Sequence, residues 1–276
     1  MTLLKWGQVL ERVRTRKVLV VVTFALLINA CGGGEEQSES MPHNTLTAAE
    51  HAAGWRLLFD GQTTNGWRGY NKESFPDVGW EVADGSLIVL ASEGEEDGNG
   101  GDIITEEQFD NFELSLEFQL SPVANSGILY RVVESEGEPI WHNAPEYQVL
   151  DDTAYIEMGT MDMFKHLTGD NYDLQASVVT ASNPIGEWNR ARIIVDGAHV
   201  EHWLNGMQTV EYELWTPEWE ELVRGSKFAE YPGYGRATTG HIGLQDHGHT
   251  LRYRNIKIRP IVALYQHQRL QFVFIF

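Results

Sequence analysis

Phe112-Glu113-Leu114-Ser115-Leu116-Glu117-Phe118-Gln119-Leu120 alternates apolar with polar residues over nine positions. A period of two is that of a β-strand with one face buried and the other in water. Turn signals surround it. Asp84-Gly85 separates residues 80–83 from 86–90, Asp196-Gly197 separates 191–195 from 199–204, and Asn205-Gly206 follows at once. Such dipeptides accept the positive φ angles of tight hairpin turns, so antiparallel pairing is expected. A helix is expected after Thr216, its N-cap, with Pro217 in the first turn and Gly225 as the stop. No glycine-rich phosphate loop follows a strand, residues 98–101 reading as a surface loop, and no nucleotide cofactor is expected. Many strands, one short helix and no βαβ alternation predict an all-β fold, a jelly-roll sandwich of two antiparallel sheets. Of the nine tryptophans, Trp80, Trp188 and Trp203 lie in strand patterns and are expected in the core, whereas Trp141 is the candidate for an exposed stacking platform.

The N-terminus calls for separate treatment. Lys5, Arg12, Arg14, Arg16 and Lys17 precede an apolar run over residues 18–28 that is short for a membrane span. The run ends in Ile28-Asn29-Ala30-Cys31, which resembles a bacterial lipoprotein signal. Residues 1–30 are then a signal peptide, Cys31 the lipidation site, and residues 31–50 a flexible tether. Asn29 is unusual in that motif, which leaves a plain secretory signal or an uncleaved anchor open. The expected location is the bacterial cell envelope, periplasmic or at the outer-membrane surface. Cys31 is the single cysteine, so no disulfide framework supports the domain. Removing residues 1–30 takes away five basic residues and one acidic one, leaving 15 against 39 and a net charge near −24. Such a surface repels phosphate backbones, and nucleic-acid partners are discounted.

Two stretches carry candidate chemistry. Glu146-Tyr147-Gln148-Val149-Leu150-Asp151-Asp152 is a strand that ends in carboxylates, and Gly240-His241-Ile242-Gly243-Leu244-Gln245-Asp246-His247-Gly248-His249 follows a short apolar strand with a second polar cluster. Alternation sets Glu146 and Gln148 on the face opposite Tyr147 and Val149. Strand ends are where a β scaffold holds acid–base groups rigidly, and with aromatic platforms nearby the pattern suggests a carbohydrate site.

Leu58-Phe59-Asp60-Gly61 with Gly66-Trp67, Asn125-Ser126-Gly127-Ile128 before Tyr130-Arg131, the two stretches above, Gly186-Glu187-Trp188-Asn189, His202-Trp203-Leu204-Asn205-Gly206 and Arg254-Asn255-Ile256-Lys257-Ile258 occur in that order. Together they resemble the 3-keto-disaccharide hydrolase domain family over residues 54–261. The resemblance implies a concanavalin-like jelly roll and action on glycosides whose C3 hydroxyl is oxidised to a ketone, supplied by a separate sugar 3-dehydrogenase. A ketone at C3 acidifies the C2 proton and opens an elimination route at C1, followed by hydration. That route needs a base, an electrophile for the enolate oxygen and an acid for the leaving oxygen. The candidates are Glu146 as base, Arg131 for the enolate and His247 as acid. Asn125, Tyr130, Trp141, Gln148, Gln245 and Lys165 are candidate substrate contacts, and Asp151, Asp152 or His142 candidate ligands for a divalent cation that replaces or assists the arginine.

Each residue has a plainer alternative. Glu146 can be a solvated outward residue, Arg131 a structural ion-pair partner, Asp151 and Asp152 turn residues, and His142 a loop histidine. Two competing functions also stay open: a two-carboxylate glycosidase using Glu146 with Asp151 or Asp246, and a carbohydrate-binding module without chemistry. Residues 262–276 end in Phe272-Val273-Phe274-Ile275-Phe276, an atypical tail beyond the domain.

Overall fold

The computed structural model describes residues 42–92, 98–159 and 163–261. Cys31, the signal segment and the 262–276 tail lie outside the described residues. The strands are β1 (Arg56–Leu57), β2 (Trp67–Gly69), β3 (Trp80–Ala83), β4 (Ser86–Val89), β5 (Ile103–Thr105), β6 (Phe112–Leu120), β7 (Asn125–Val132), β8 (Glu146–Leu150), β9 (Trp188–Asp196), β10 (His199–Leu204), β11 (Met207–Glu213), β12 (His241–Leu244) and β13 (Leu251–Pro260). They form two antiparallel sheets. The larger runs β11-β10-β9-β6-β13-β4-β3 with β1 beside β13, and the smaller runs β2-β5-β12-β7-β8. The main core includes Phe112, Leu114, Leu116 and Phe118 of the larger sheet and Ile128, Tyr147, Val149 and Ile242 of the smaller. This is the expected sandwich.

The three turn dipeptides behave as hairpin chemistry requires. Asp84, Gly85, Gly197, Asn205 and Gly206 all have positive φ, and they connect β3 to β4, β9 to β10 and β10 to β11. The expected helix is α3 (Pro217–Arg224), with the Thr216 side chain accepting from the Trp219 N–H at 3.2 Å. Two further short helices went unpredicted, α1 (Ala48–Ala52) and α2 (Asp152–Met158). Each has side-chain capping at its start: Thr47 and Glu50 form a capping box, and Asp151 accepts from the Ala154 N–H. The tether expected to reach residue 50 therefore stops earlier. Asn44 docks on β13, its N–H donating to Asn255 Oδ1 at 2.6 Å and its Oδ1 accepting from the Asn255 N–H at 2.8 Å.

The outer face of β6 is not simply wet. Glu113 and Ser115 are buried, because Arg192 of β9 and Arg259 of β13 close over Glu113 from both sides. Glu117 is held likewise by Arg254 at 2.8 Å and Arg190 at 3.3 Å. The same cations correct the placement of two tryptophans. Trp80 is in the core, but Trp188 and Trp203 are only partly buried. Each is overlaid by a guanidinium, Arg254 at 3.7 Å from the Trp188 ring and Arg192 at 5.1 Å from that of Trp203.

Candidate active site

Along β8, Tyr147 and Val149 enter the main core, so Glu146 and Gln148 project from the opposite face of the smaller sheet. Asn125 of β7 shares that face, and its Oδ1 accepts from Gln148 Nε2 at 2.9 Å. Just past β12, Gln245 donates its N–H to the Gly127 carbonyl at 3.0 Å, which carries His247 to the same end. These four side chains, with His247 itself, line one cleft of about 300 Å³. Its walls are completed by Trp141, Tyr172 and Lys227.

Glu146 is 4% exposed, and burial pushes its carboxyl up to about 8; the Lys227 charge opposes that rise and Asp102 adds to it. Gly127, beside it on β7, makes room for the carboxylate, since a Cβ there would lie against Oε1 and 2.7 Å from Cδ. Lys227 as a residue is exposed, but its ammonium is tucked between rings, 4.3 Å from those of Trp141 and Tyr172. Burial lowers its pKa, with Glu146 and Asp173 acting the other way. Asp173 also fixes the segment by accepting from the Lys227 N–H at 2.7 Å. Asp246 shapes the His247 loop: its carboxylate accepts from the N–H groups of Gly100 at 2.9 Å, Gly101 at 3.2 Å and Gly248 at 3.1 Å.

A profile for the 3-keto-alpha-glucoside-1,2-lyase-like domain matches residues 54–259, three-quarters of the chain. The chain belongs to this family. A 3-keto-disaccharide hydrolase of Bacteroides thetaiotaomicron is 38% identical over 239 residues, 79% of this chain and 82% of the relative. The crystal structure of a candidate glycosyl hydrolase from Parabacteroides distasonis superposes with a TM-score of 0.72 at 31% identity, covering 80% of this chain and all of that one. A second such structure from the same organism gives 0.55 at 30% identity, over 75% and 99% of the two chains.

This lyase-like domain gathers Glu146, His247, Asn125, Trp141, Gln148 and Gln245, all six read from sequence, in one cleft. Other expected site residues lie elsewhere. Arg131 should face the cleft by alternation, but β7 bulges against β12 between Leu129 and Val132, and Arg131 takes φ 53°. Its guanidinium donates to the Asp110 carbonyl at 2.9 Å and sits 5.6 Å from the Trp215 ring. Tyr130 is fully buried on the core side, its hydroxyl bonded to His202 Nε2 at 2.8 Å and to the Tyr212 hydroxyl. Lys165 ends a short 3-10 turn and does not line the cleft. His142 pairs with Glu138 and stacks on Tyr231 at 3.8 Å, in a neighbouring cavity.

The candidate metal ligands do not converge. Asp151 Oδ1 accepts from the Ala154 N–H and Oδ2 from that of Val123. Asp152 Oδ1 takes the Thr168 N–H and hydroxyl, and Oδ2 the Ser182 hydroxyl. With those oxygens engaged and His142 in another cavity, the three residues do not fit a cation site; among the described residues no cluster of His, Cys, Asp and Glu has a metal-holding arrangement.

Sequence reasoning missed Lys227 and Tyr172. Neither lies in a strand pattern or a motif. Only the chain's return over the sheet brings them to Glu146, as in the 3.1 Å bond from the Tyr172 N–H to the Glu146 carbonyl.

Proposed function

We propose that this enzyme cleaves 3-keto-glycosides, including 3-keto-disaccharides, by elimination across C1 and C2 followed by hydration. The observation that carries the reading is Glu146, the one carboxylate lining the cleft among the described residues, whose pKa burial pushes up to about 8. A conventional glycosidase places a second carboxylate across the sugar, whereas Asp151 and Asp246 are occupied in holding backbone N–H groups. The family description as a 1,2-lyase and the relative's name as a 3-keto-disaccharide hydrolase support the same chemistry.

In this reading the Glu146 carboxylate removes the C2 proton, and the electron pair moves onto the C3 oxygen as an enolate. The Lys227 ammonium stabilises that oxygen, the part first assigned to Arg131. The enolate expels the C1 substituent, and His247 delivers a proton to the departing glycosidic oxygen. Water then adds to C1 and C2 regains a proton, giving the free 3-keto sugar and an alcohol. The amides of Asn125, Gln148 and Gln245 orient the ring hydroxyls, and Trp141 packs on its apolar face. Because no residue in this cleft oxidises an alcohol, a separate sugar 3-dehydrogenase supplies the ketone. We also propose that Cys31 carries a lipid anchor that holds the protein in the bacterial cell envelope, in the periplasm or at the outer-membrane surface.

The test is turnover of a 3-keto-glucoside in deuterated water, beside the unoxidised glucoside. Deuterium at C2 of the product and no turnover of the parent sugar are expected. Cleavage of both substrates without C2 exchange would refute the elimination route.

A further inference from the structure

A second cavity of about 770 Å³ adjoins the cleft, and the mechanism above does not use it. The two share a partition. Trp141 lines the cleft, whereas the next residue, His142, lines the cavity. Across from them Lys227 lines the cleft, and Glu230 and Tyr231, just beyond it in the chain, line the cavity. The partition itself is the Trp141 indole, edge-on to the Tyr231 ring at 5.4 Å.

At about 300 Å³ the cleft sits at the small end of ligand sites and suits a single sugar ring. A disaccharide has two rings joined through the oxygen that departs, so its second ring needs a site next to the cleft, and the cavity flanked by His142 and Tyr231 is adjacent to it. The neighbouring cavity offers what an uncharged polyhydroxylated ring needs. Tyr231 supplies an aromatic surface, backed by the His142 ring at 3.8 Å and 23°. His142 is in turn fixed by Glu138. Around it stand three carboxylates, Glu134, Glu138 and Glu230, and one guanidinium, Arg236; Arg236 is held to Glu220 with an Nη2–Oε2 distance of 2.7 Å, and Glu134 to Arg68 at 2.6 Å. Side chains already locked by partners present hydrogen-bonding edges with little further ordering cost, and the surplus of carboxylates disfavours an anionic ligand.

We infer that this cavity is the subsite for the leaving half of the substrate, a neutral hexosyl group, with Tyr231 as its specificity-determining residue. The inference rests on the proposed elimination at Glu146. It makes the enzyme selective for disaccharides over glycosides with small leaving groups.

The experiment compares kcat/KM for a 3-keto-disaccharide with that for methyl 3-keto-glucoside in wild type, Tyr231→Ala and Tyr231→Phe. The expected result is at least a tenfold fall in the disaccharide-to-methyl ratio for Tyr231→Ala, carried mostly by KM, and a ratio within twofold of wild type for Tyr231→Phe. The free leaving hexose should inhibit wild type competitively and Tyr231→Ala at least tenfold more weakly. If Tyr231→Ala fails to melt cooperatively, Ala237→Trp, which fills the cavity from its wall, must lower the same ratio. A ratio unmoved by either variant overturns the subsite while leaving the reaction intact. A wild-type enzyme that turns over neither 3-keto substrate overturns the functional reading and the subsite with it.

Discussion

Gly127→Ala isolates the position of one carboxylate from the stability of the sheet. Gly127 has no positive φ to protect, so alanine is compatible with its strand backbone. The added Cβ would lie against Glu146 Oε1, 2.7 Å from Cδ and 2.9 Å from Cγ, where 3.4 Å begins ordinary contact. The obstacle is the end of a flexible side chain bordering a cavity, so the carboxyl group yields by about 1 Å, a displacement that typically costs about 100-fold in rate. Stability hardly changes, because alanine also restricts the unfolded chain by about 0.4–1 kcal/mol. The assay is kcat for a 3-keto-glucoside beside the thermal midpoint, in wild type, Gly127→Ala, Glu146→Gln and the double variant. A drop of about two orders of magnitude with a midpoint shift of a few degrees is expected, together with no further loss when Gly127→Ala is added to Glu146→Gln. Wild-type kcat in Gly127→Ala would refute the assignment of Glu146 as the reacting group.

Three further outcomes follow from the same geometry. Burial raises the Glu146 carboxyl from 4.5 to about 8, so the native state binds the extra proton and stability falls as pH rises between those values. At pH 7 this amounts to roughly 3 kcal/mol, so Glu146→Gln should melt higher than wild type near neutrality and flatten the pH dependence of the midpoint; Asp170, raised to about 7 by burial, leaves a residual slope of the same sign. Lys227→Met removes the charge that opposes this rise, so the alkaline increase in kcat should move to higher pH and the plateau should fall at least tenfold, whereas an unshifted profile would deny the lysine its place beside the carboxylate. Tyr130→Phe leaves the buried His202 Nε2 without its hydroxyl donor, which should cost about 1–3 kcal/mol in denaturant melts while kcat/KM stays within twofold of wild type.

What could be read in advance follows from how locally each feature is encoded. The period-two run of β6 and the turn dipeptides are short-range patterns, and they placed strands and hairpins almost residue for residue. Parity along a strand also served the site, because Glu146 and Gln148 had to leave the sheet together and opposite Tyr147. The same parity failed at Arg131. A bulge adds one residue to β7 relative to β12, and the glycine packed against it, Gly240, whose Cβ would meet the Arg131 backbone, lies more than a hundred residues away in sequence, so nothing within β7 marks the register change. Asp151 and Asp152 illustrate a different failure. Carboxylates after a strand suit a metal site, a turn and a helix N-terminus alike, and only the α2 backbone decides among them. Lys227 was beyond reach because its partners Trp141 and Tyr172 are 86 and 55 residues upstream and meet it only in the folded chain.

The sandwich leaves few places for a buried acid. The inner faces of both sheets are filled by the main core, and the outer face of the larger sheet is closed by Glu113 and Glu117 with their arginines. The outer face of the smaller sheet remains, where Asn125, Glu146 and Gln148 stand together under a roof of Trp141, Tyr172 and Lys227. That roof excludes the water that would otherwise hold the Glu146 carboxyl near its ordinary value, so basicity and enclosure are one property. A carboxylate of pKa near 4.5 is a weak base for a carbon acid, and one raised to 8 gains strength while staying about a tenth ionised at pH 7. Loosening the roof should therefore cost rate even if every contact to the sugar survives, because the base weakens as soon as water reaches it.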